Sequence, residues 1–102
     1  MSYIHPMTTI RTTPEYDAWF ASLRDEGARQ RINIRIRRVS LGNFGDVKPV
    51  GEGVSELRID YGPGYRVYLV QRGDVILLCG GDKRTQERDI TKAKRMAKED
   101  FT

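Results

Sequence analysis

The sequence predicts an α+β fold: a small antiparallel-meander sheet of about four strands, an N-terminal helical hairpin packed on it, and a short C-terminal helix. Three observations lead there. Val54 to Gln86 holds three strand-like segments divided by tight turns, residues 14–23 and 28–41 repeat apolar side chains at helical spacing, and a thinner helical pattern follows Thr85. At 102 residues and 11.7 kDa the whole chain, 1–102, is sized for one domain with a single core.

Taken in order, Met1–Pro6 reads as a ragged start, with Met7 as an alternative initiator, and Met7–Thr12 is compatible with a short first strand. Thr13-Pro14-Glu15 is a helix start, because threonine can cap, proline suits the first helical position, and Glu15 and Asp17 suit the positive end of the dipole. Tyr16, Trp19, Phe20 and Leu23 then form one apolar face, either seated on the sheet or offered as an aromatic platform. Arg24-Asp25-Glu26-Gly27 breaks this helix, and Ala28–Leu41 forms a second with Ala28, Ile32, Ile36 and Val39 inward. Gly42–Asp46 ends it, and Lys48–Gly53 reads as a loop into the sheet.

In Val54–Tyr61, Leu57, Ile59 and Tyr61 take one face while Glu56, Arg58 and Asp60 take the other, the period of two expected of a strand covered on one side. Gly62-Pro63-Gly64 turns the chain into Tyr65–Val70, and Arg72-Gly73-Asp74 turns it again into Val75–Cys79. That last run is apolar on both faces, so it belongs at the centre of the sheet or beneath a second covering layer. Gly80–Lys83 reads as an exit loop and lacks the glycine spacing of a phosphate-binding P-loop. The terminal helix, Gln86–Lys98, carries Ile90, Ala93 and Ala97 as a thin apolar line and reads as weakly anchored.

Charge is localised. The net charge is +4 with a pI near 9.5, and the basic excess of Arg24, Arg29, Arg31, Arg35, Arg37, Arg38 and Lys48 over Asp25, Glu26 and Asp46 equals that whole net charge. Such a face is either simply solvated or a contact for nucleic acid or an acidic protein. One cysteine and one histidine exclude a disulfide scaffold and an ordinary structural zinc site, and Cys79 reads as a buried, inert thiol. No apolar run approaches the roughly 20 residues that cross a bilayer, and no secretory leader is evident, so a reducing cytosol is expected.

An ordered set of short motifs resembles a known family. They are Thr13-Pro14-Glu15-Tyr16 with Trp19 and Leu23, Ala28 with Arg31-Ile32 and Arg35-Ile36, Gly42–Asp46 with Lys48 and Val50-Gly51, Val54–Ile59, Gly62–Tyr68, and Gly80–Lys83 with Thr85-Gln86 and Asp89-Ile90. In this combination the chain resembles the RelE/ParE toxin superfamily, in its HigB-like, addiction-module-killer branch, over positions 7–95. The resemblance implies the toxin of a type II toxin-antitoxin pair, with the helices packed on one side of a four-stranded sheet. RelE-like members cut messenger RNA in the ribosomal A site, without a metal, by attack of the ribose 2′-hydroxyl on the adjacent phosphate. ParE-like members share the fold and block DNA gyrase instead, so fold does not decide activity. A non-catalytic, protein-binding member of a repressor complex is a third possibility.

Cleavage by this route needs activation of the 2′-hydroxyl, charge stabilisation at the phosphate and protonation of the 5′-oxygen, and basic side chains can do most of this work. Arg58, on the polar face of one strand, and Arg66, just past the hairpin turn, are the strongest pair, with Lys83 delivered from the exit loop and Lys48 from the loop before the meander. The resemblance aligns Arg66 with an arginine used at the scissile phosphate, Arg58 with a sheet lysine linked to the 2′-hydroxyl, and Lys83 with a basic residue linked to the leaving group. Arginine is a poor proton acceptor, so Arg58 suits charge stabilisation. Glu56 stands where those members carry another lysine, as a base or a partner for Arg58, and Asp89 stands where some carry a tyrosine. Tyr68 is a packing residue or a base stacker, and Arg84 a further RNA contact. No cofactor or metal is expected. The implied partners are the ribosome and mRNA, and a co-encoded antitoxin, in this branch usually a helix-turn-helix DNA-binding protein. Arg31, Arg35 and Arg38 are the expected contacts for the antitoxin, with the terminal helix as the other candidate, and no membrane is involved.

Overall fold

The computed structural model describes residues 7–99; the ragged start expected at Met1–Pro6 lies outside them. The elements are β1 (Ile10–Thr12), α1 (Pro14–Ser22), α2 (Glu26–Ser40), β2 (Val47–Gly51), β3 (Val54–Ile59), β4 (Tyr65–Arg72), β5 (Asp74–Asp82), a single 3-10 turn (Lys83–Thr85) and α3 (Gln86–Met96). Five strands form one sheet in the order β1-β5-β4-β3-β2, with β1 parallel to β5 and the remaining pairs antiparallel. This corrects the expectation of a purely antiparallel meander of about four strands: the sheet is mixed and has a fifth strand.

The fifth strand is β2, which the sequence pattern presents as a loop because Pro49 cannot donate to a ladder. Here it stands on a sheet edge, where a missing donor is tolerated. A two-residue turn joins β2 to β3, with Glu52 at φ 56° and Gly53 at φ 79°, the paired positive dihedrals that match hairpin twist. At the other edge, Thr13 fixes the exit of β1. Its N–H donates to Leu77 O, its hydroxyl donates to Leu78 O, and the same hydroxyl oxygen accepts the Tyr16 N–H as the cap of α1. The α2 helix begins at Glu26 rather than Ala28, capped by the Asp25 carboxylate on Ala28 N–H.

Each face of the sheet carries its own apolar cluster. On one face Leu57, Ile59, Val67, Leu69, Val75 and Leu77 pack with Tyr16, Ile32 and Val39 of the helical hairpin. On the other, Val54, Tyr68, Val70, Ile76 and Leu78 pack with Ala93, Met96 and Ala97. The helices therefore flank both sides of the sheet, which corrects the one-sided packing implied by the resemblance and explains why Val75–Cys79 is apolar throughout. It also corrects the weak anchoring expected of the terminal helix. Asp89 is 4% exposed over Gly81, and Arg72 donates to Ala97 O and Glu99 O. Among the described residues no helix is long and apolar enough to cross a membrane.

Candidate functional site

The antiparallel register aligns Arg58, Arg66 and Gly81 across β3, β4 and β5, and Glu56, Tyr68 and Cys79 in the next row of the same face. Side chains directly opposite in such a ladder share a face, so two arginines stand side by side. Gly81 beside them has no side chain, which leaves room for Asp89 at the start of α3. The 3-10 turn then brings Lys83 over the Gly62–Gly64 turn. The result is an open groove of about 450 Å³ lined by Arg58, Arg66, Lys83, Asp46, Asp60 and that turn.

Beneath the arginines lies a buried carboxylate. No part of Glu56 is exposed. Its Oε1 accepts from Arg58 Nε at 2.9 Å; its Oε2 accepts from Tyr68 Oη at 2.9 Å and from Gln86 Nε2 at 2.8 Å. Arg66 Nε is 4.0 Å from Oε1 and is itself buried without a hydrogen bond. Burial drives the Glu56 carboxyl towards the neutral form, but the bonds from Arg58, Gln86 and Tyr68 outweigh it and hold its pKa below the ordinary value. Both oxygens are occupied by donors and no part of the residue reaches solvent, so of the two roles named for Glu56 the structure displays the pairing with Arg58. The same bond raises the pKa of Arg58, keeping that guanidinium charged. Burial, then the bond to Glu56, raises the pKa of Tyr68.

Several expected contacts are placed elsewhere. Tyr68 is wholly buried, so no base can stack on it. Lys48 belongs to β2, opposite Glu56, and does not line the groove. Arg84 points outward and pairs with Asp82 at 3.1 Å. Of the three α2 arginines expected to meet a partner, Arg38 is exposed and Arg31 lies over the Tyr61 ring, 4.8 Å from its centroid. Arg35 is not a free surface cation. It donates to the carbonyls of Arg58, Phe44 and Asp46, clamping the start of β2 to the end of β3. Gln86, Asp46 and Asp60 were not expected in the site.

A larger groove, about 810 Å³, runs along β5 between α1 and α3. Two of its cations are paired, with Lys92 2.6 Å from Glu15 and Arg88 3.7 Å from Asp89, and Arg95 also lines it. In the smaller groove Lys83 makes no ion pair among the described residues, and only Nε of Arg58 and Arg66 meets a carboxylate. Cationic donors left available in a fixed array mark the smaller groove as the functional candidate.

No family model matches the chain. A protein of Haemophilus influenzae described as "Uncharacterized protein" is 53% identical over 92 residues, covering 88% of this chain and 93% of that one. Identity at that level across nearly the whole of both sequences makes the two homologous, and the chain belongs to the family of that Haemophilus influenzae protein.

Proposed function

We propose that the chain is a cytoplasmic toxin of the RelE/ParE class that cleaves messenger RNA on the ribosome. The convergence of Arg58, Arg66 and Lys83 on one groove carries this reading. In this scheme the ribose 2′-oxygen attacks the adjacent phosphorus and its proton leaves to water. Arg66 and Arg58 hold the charge that grows on the non-bridging oxygens, and Lys83 gives a proton to the departing 5′-oxygen. The products are a 2′,3′-cyclic phosphate and a 5′-hydroxyl. Positioning of the phosphate by donors fixed on a sheet is the chief contribution, since neither guanidinium is a base.

The groove's three cations are matched by Asp46, Asp60 and the buried Glu56. Recognition is therefore local rather than driven by a broad positive field. That balance also favours a second reading with a protein target, namely DNA gyrase, as for ParE-like members. A toxin of either kind needs a silencing partner, and a co-encoded helix-turn-helix antitoxin is the partner we infer. The α2 face that carries Arg31 and Arg38 together with exposed Ile34 and Leu41 is the surface offered to it.

Primer extension on messages from bacteria expressing the chain tests the proposal. New 5′ ends inside translated codons are expected. Intact messages with accumulated cleaved DNA-gyrase complexes would transfer the assignment to gyrase, and unimpeded growth would remove the toxin reading altogether.

A further inference from the structure

We propose that Glu56 is a positioning residue, fixed by Tyr68 and Gln86, that sets the orientation of Arg58 and permits Arg66 to stand beside it. Two arginines directly opposite each other on neighbouring strands repel, and the cross-strand register alone would splay them. A carboxylate with no solvent access lies between them, 2.9 Å from Nε of one and 4.0 Å from Nε of the other. Because Glu56 takes Arg58 by Nε, the two Nη groups of Arg58 remain for a ligand. They make no hydrogen bond or ion pair within the described residues.

The carboxylate is itself immobilised from two directions. Tyr68 holds it within the sheet, and Gln86, the first residue of α3, reaches it from the covering helix. The helix start is fixed in turn, since Thr85 donates to Asp89, whose carboxylate fills the space over Gly81. Sheet and helix thus meet at Glu56, and the geometry of the arginine pair depends on both. The consequence for catalysis rests on the ribonuclease reading above, whereas the ordering of Arg58 does not.

The test follows the Arg58 Nε–H resonance by 15N NMR, together with single-turnover cleavage of ribosome-bound message, in Glu56→Gln, Tyr68→Phe and Gln86→Ala. In the wild type this Nε–H should be sharp and slow to exchange with solvent. Each variant should broaden it and speed its exchange, Glu56→Gln most strongly. Cleavage at saturation should fall by about 100-fold in Glu56→Gln with KM little changed, as displacement of a reacting group by about 1 Å would produce. Gln86→Ala removes a partly buried amide without opening the sheet, so it keeps the test sound if Glu56→Gln fails to fold. An Arg58 Nε–H signal unchanged in Gln86→Ala and Tyr68→Phe would overturn the proposal. So would normal cleavage in a variant whose signal had collapsed. If wild-type protein cleaves nothing while its Arg58 signal responds as expected, the positioning stands and the ribonuclease reading fails.

Discussion

Replacing Gly81 with alanine should destabilise the protein and loosen the site at the same time. The added Cβ would lie 1.8 Å from Asp89 Oδ2, 2.8 Å from its Cγ and 2.9 Å from Thr85 Oγ1. The direction of a Cβ is set by the backbone, so no rotamer of residue 81 relieves the clash. Asp89 is 4% exposed and has to retreat by about 1.5 Å to restore ordinary contact, taking the first turn of α3 with it. Overpacking of this kind costs about 1–3 kcal/mol. A strained Thr85–Asp89 bond adds about 1 kcal/mol. The reduced freedom of the unfolded chain returns about 0.4–1 kcal/mol. The net loss is about 2 kcal/mol, or about 8–16 °C in Tm for a domain of this size. Gly80→Ala makes an informative companion, because its Cβ would point to the opposite face, 2.2 Å from the Trp19 ring. Both variants should melt earlier by circular dichroism, but only Gly81→Ala should disturb the Arg58 Nε–H resonance through Gln86. A Gly81→Ala protein that melts within about 2 °C of wild type would refute the close packing of α3 on β5.

The lowered pKa of Glu56 has a defined sign in stability. A carboxylate depressed in the folded state contributes fully above its unfolded pKa, 4.5 for glutamate, and that contribution is lost as pH falls through the folded value. Urea titrations in steps below pH 4.5 should show wild-type stability declining more steeply than that of Glu56→Gln; parallel curves would contradict the network. Arg35→Ala, which leaves the carbonyls of Phe44, Asp46 and Arg58 without their donor, should cost about 2 kcal/mol in the same titration. Arg35→Lys should recover little of it, since an ammonium cannot reproduce the planar fork. Full recovery by lysine would mean that charge alone, not geometry, holds β2 to β3.

Much of this architecture is local enough to be visible in the sequence. The Thr13-Pro14 start of α1, the inward Ala28, Ile32 and Val39 of α2, and the hairpins through Gly62–Gly64 and Gly73 each follow from residues within a few positions of one another. The Arg58–Arg66 pairing was accessible for the same reason, because one short turn fixes its register. What escaped was non-local. Nothing near Ile10–Thr12 signals that its partner, Val75–Leu77, is parallel and at the far end of the chain. Pro49 concealed β2, although Glu52-Gly53 between Val47–Gly51 and Val54 was a usable hairpin signal. Alternation in β3 suggested one solvated face, and Glu56 was assigned to it. A carboxylate can be buried there only because Tyr68, Gln86 and Arg58 converge on it, and Gln86 comes from 30 residues away. The thin apolar line of α3 was misleading in a related way, since small residues and Gly81 allow close approach, so few apolar atoms suffice.

The central claim is that Arg66, in the groove with Arg58 and Lys83, stabilises the phosphate during cleavage. The most direct measurement is single-turnover cleavage of a defined message on purified ribosomes by wild type and Arg66→Ala, with thermal melts run on the same samples. The account predicts a loss of about 100- to 1,000-fold in rate for Arg66→Ala with the fold retained, as for removal of one donor from an anion-stabilising site. Arg66→Ala that remains folded and cleaves at the wild-type rate would contradict it.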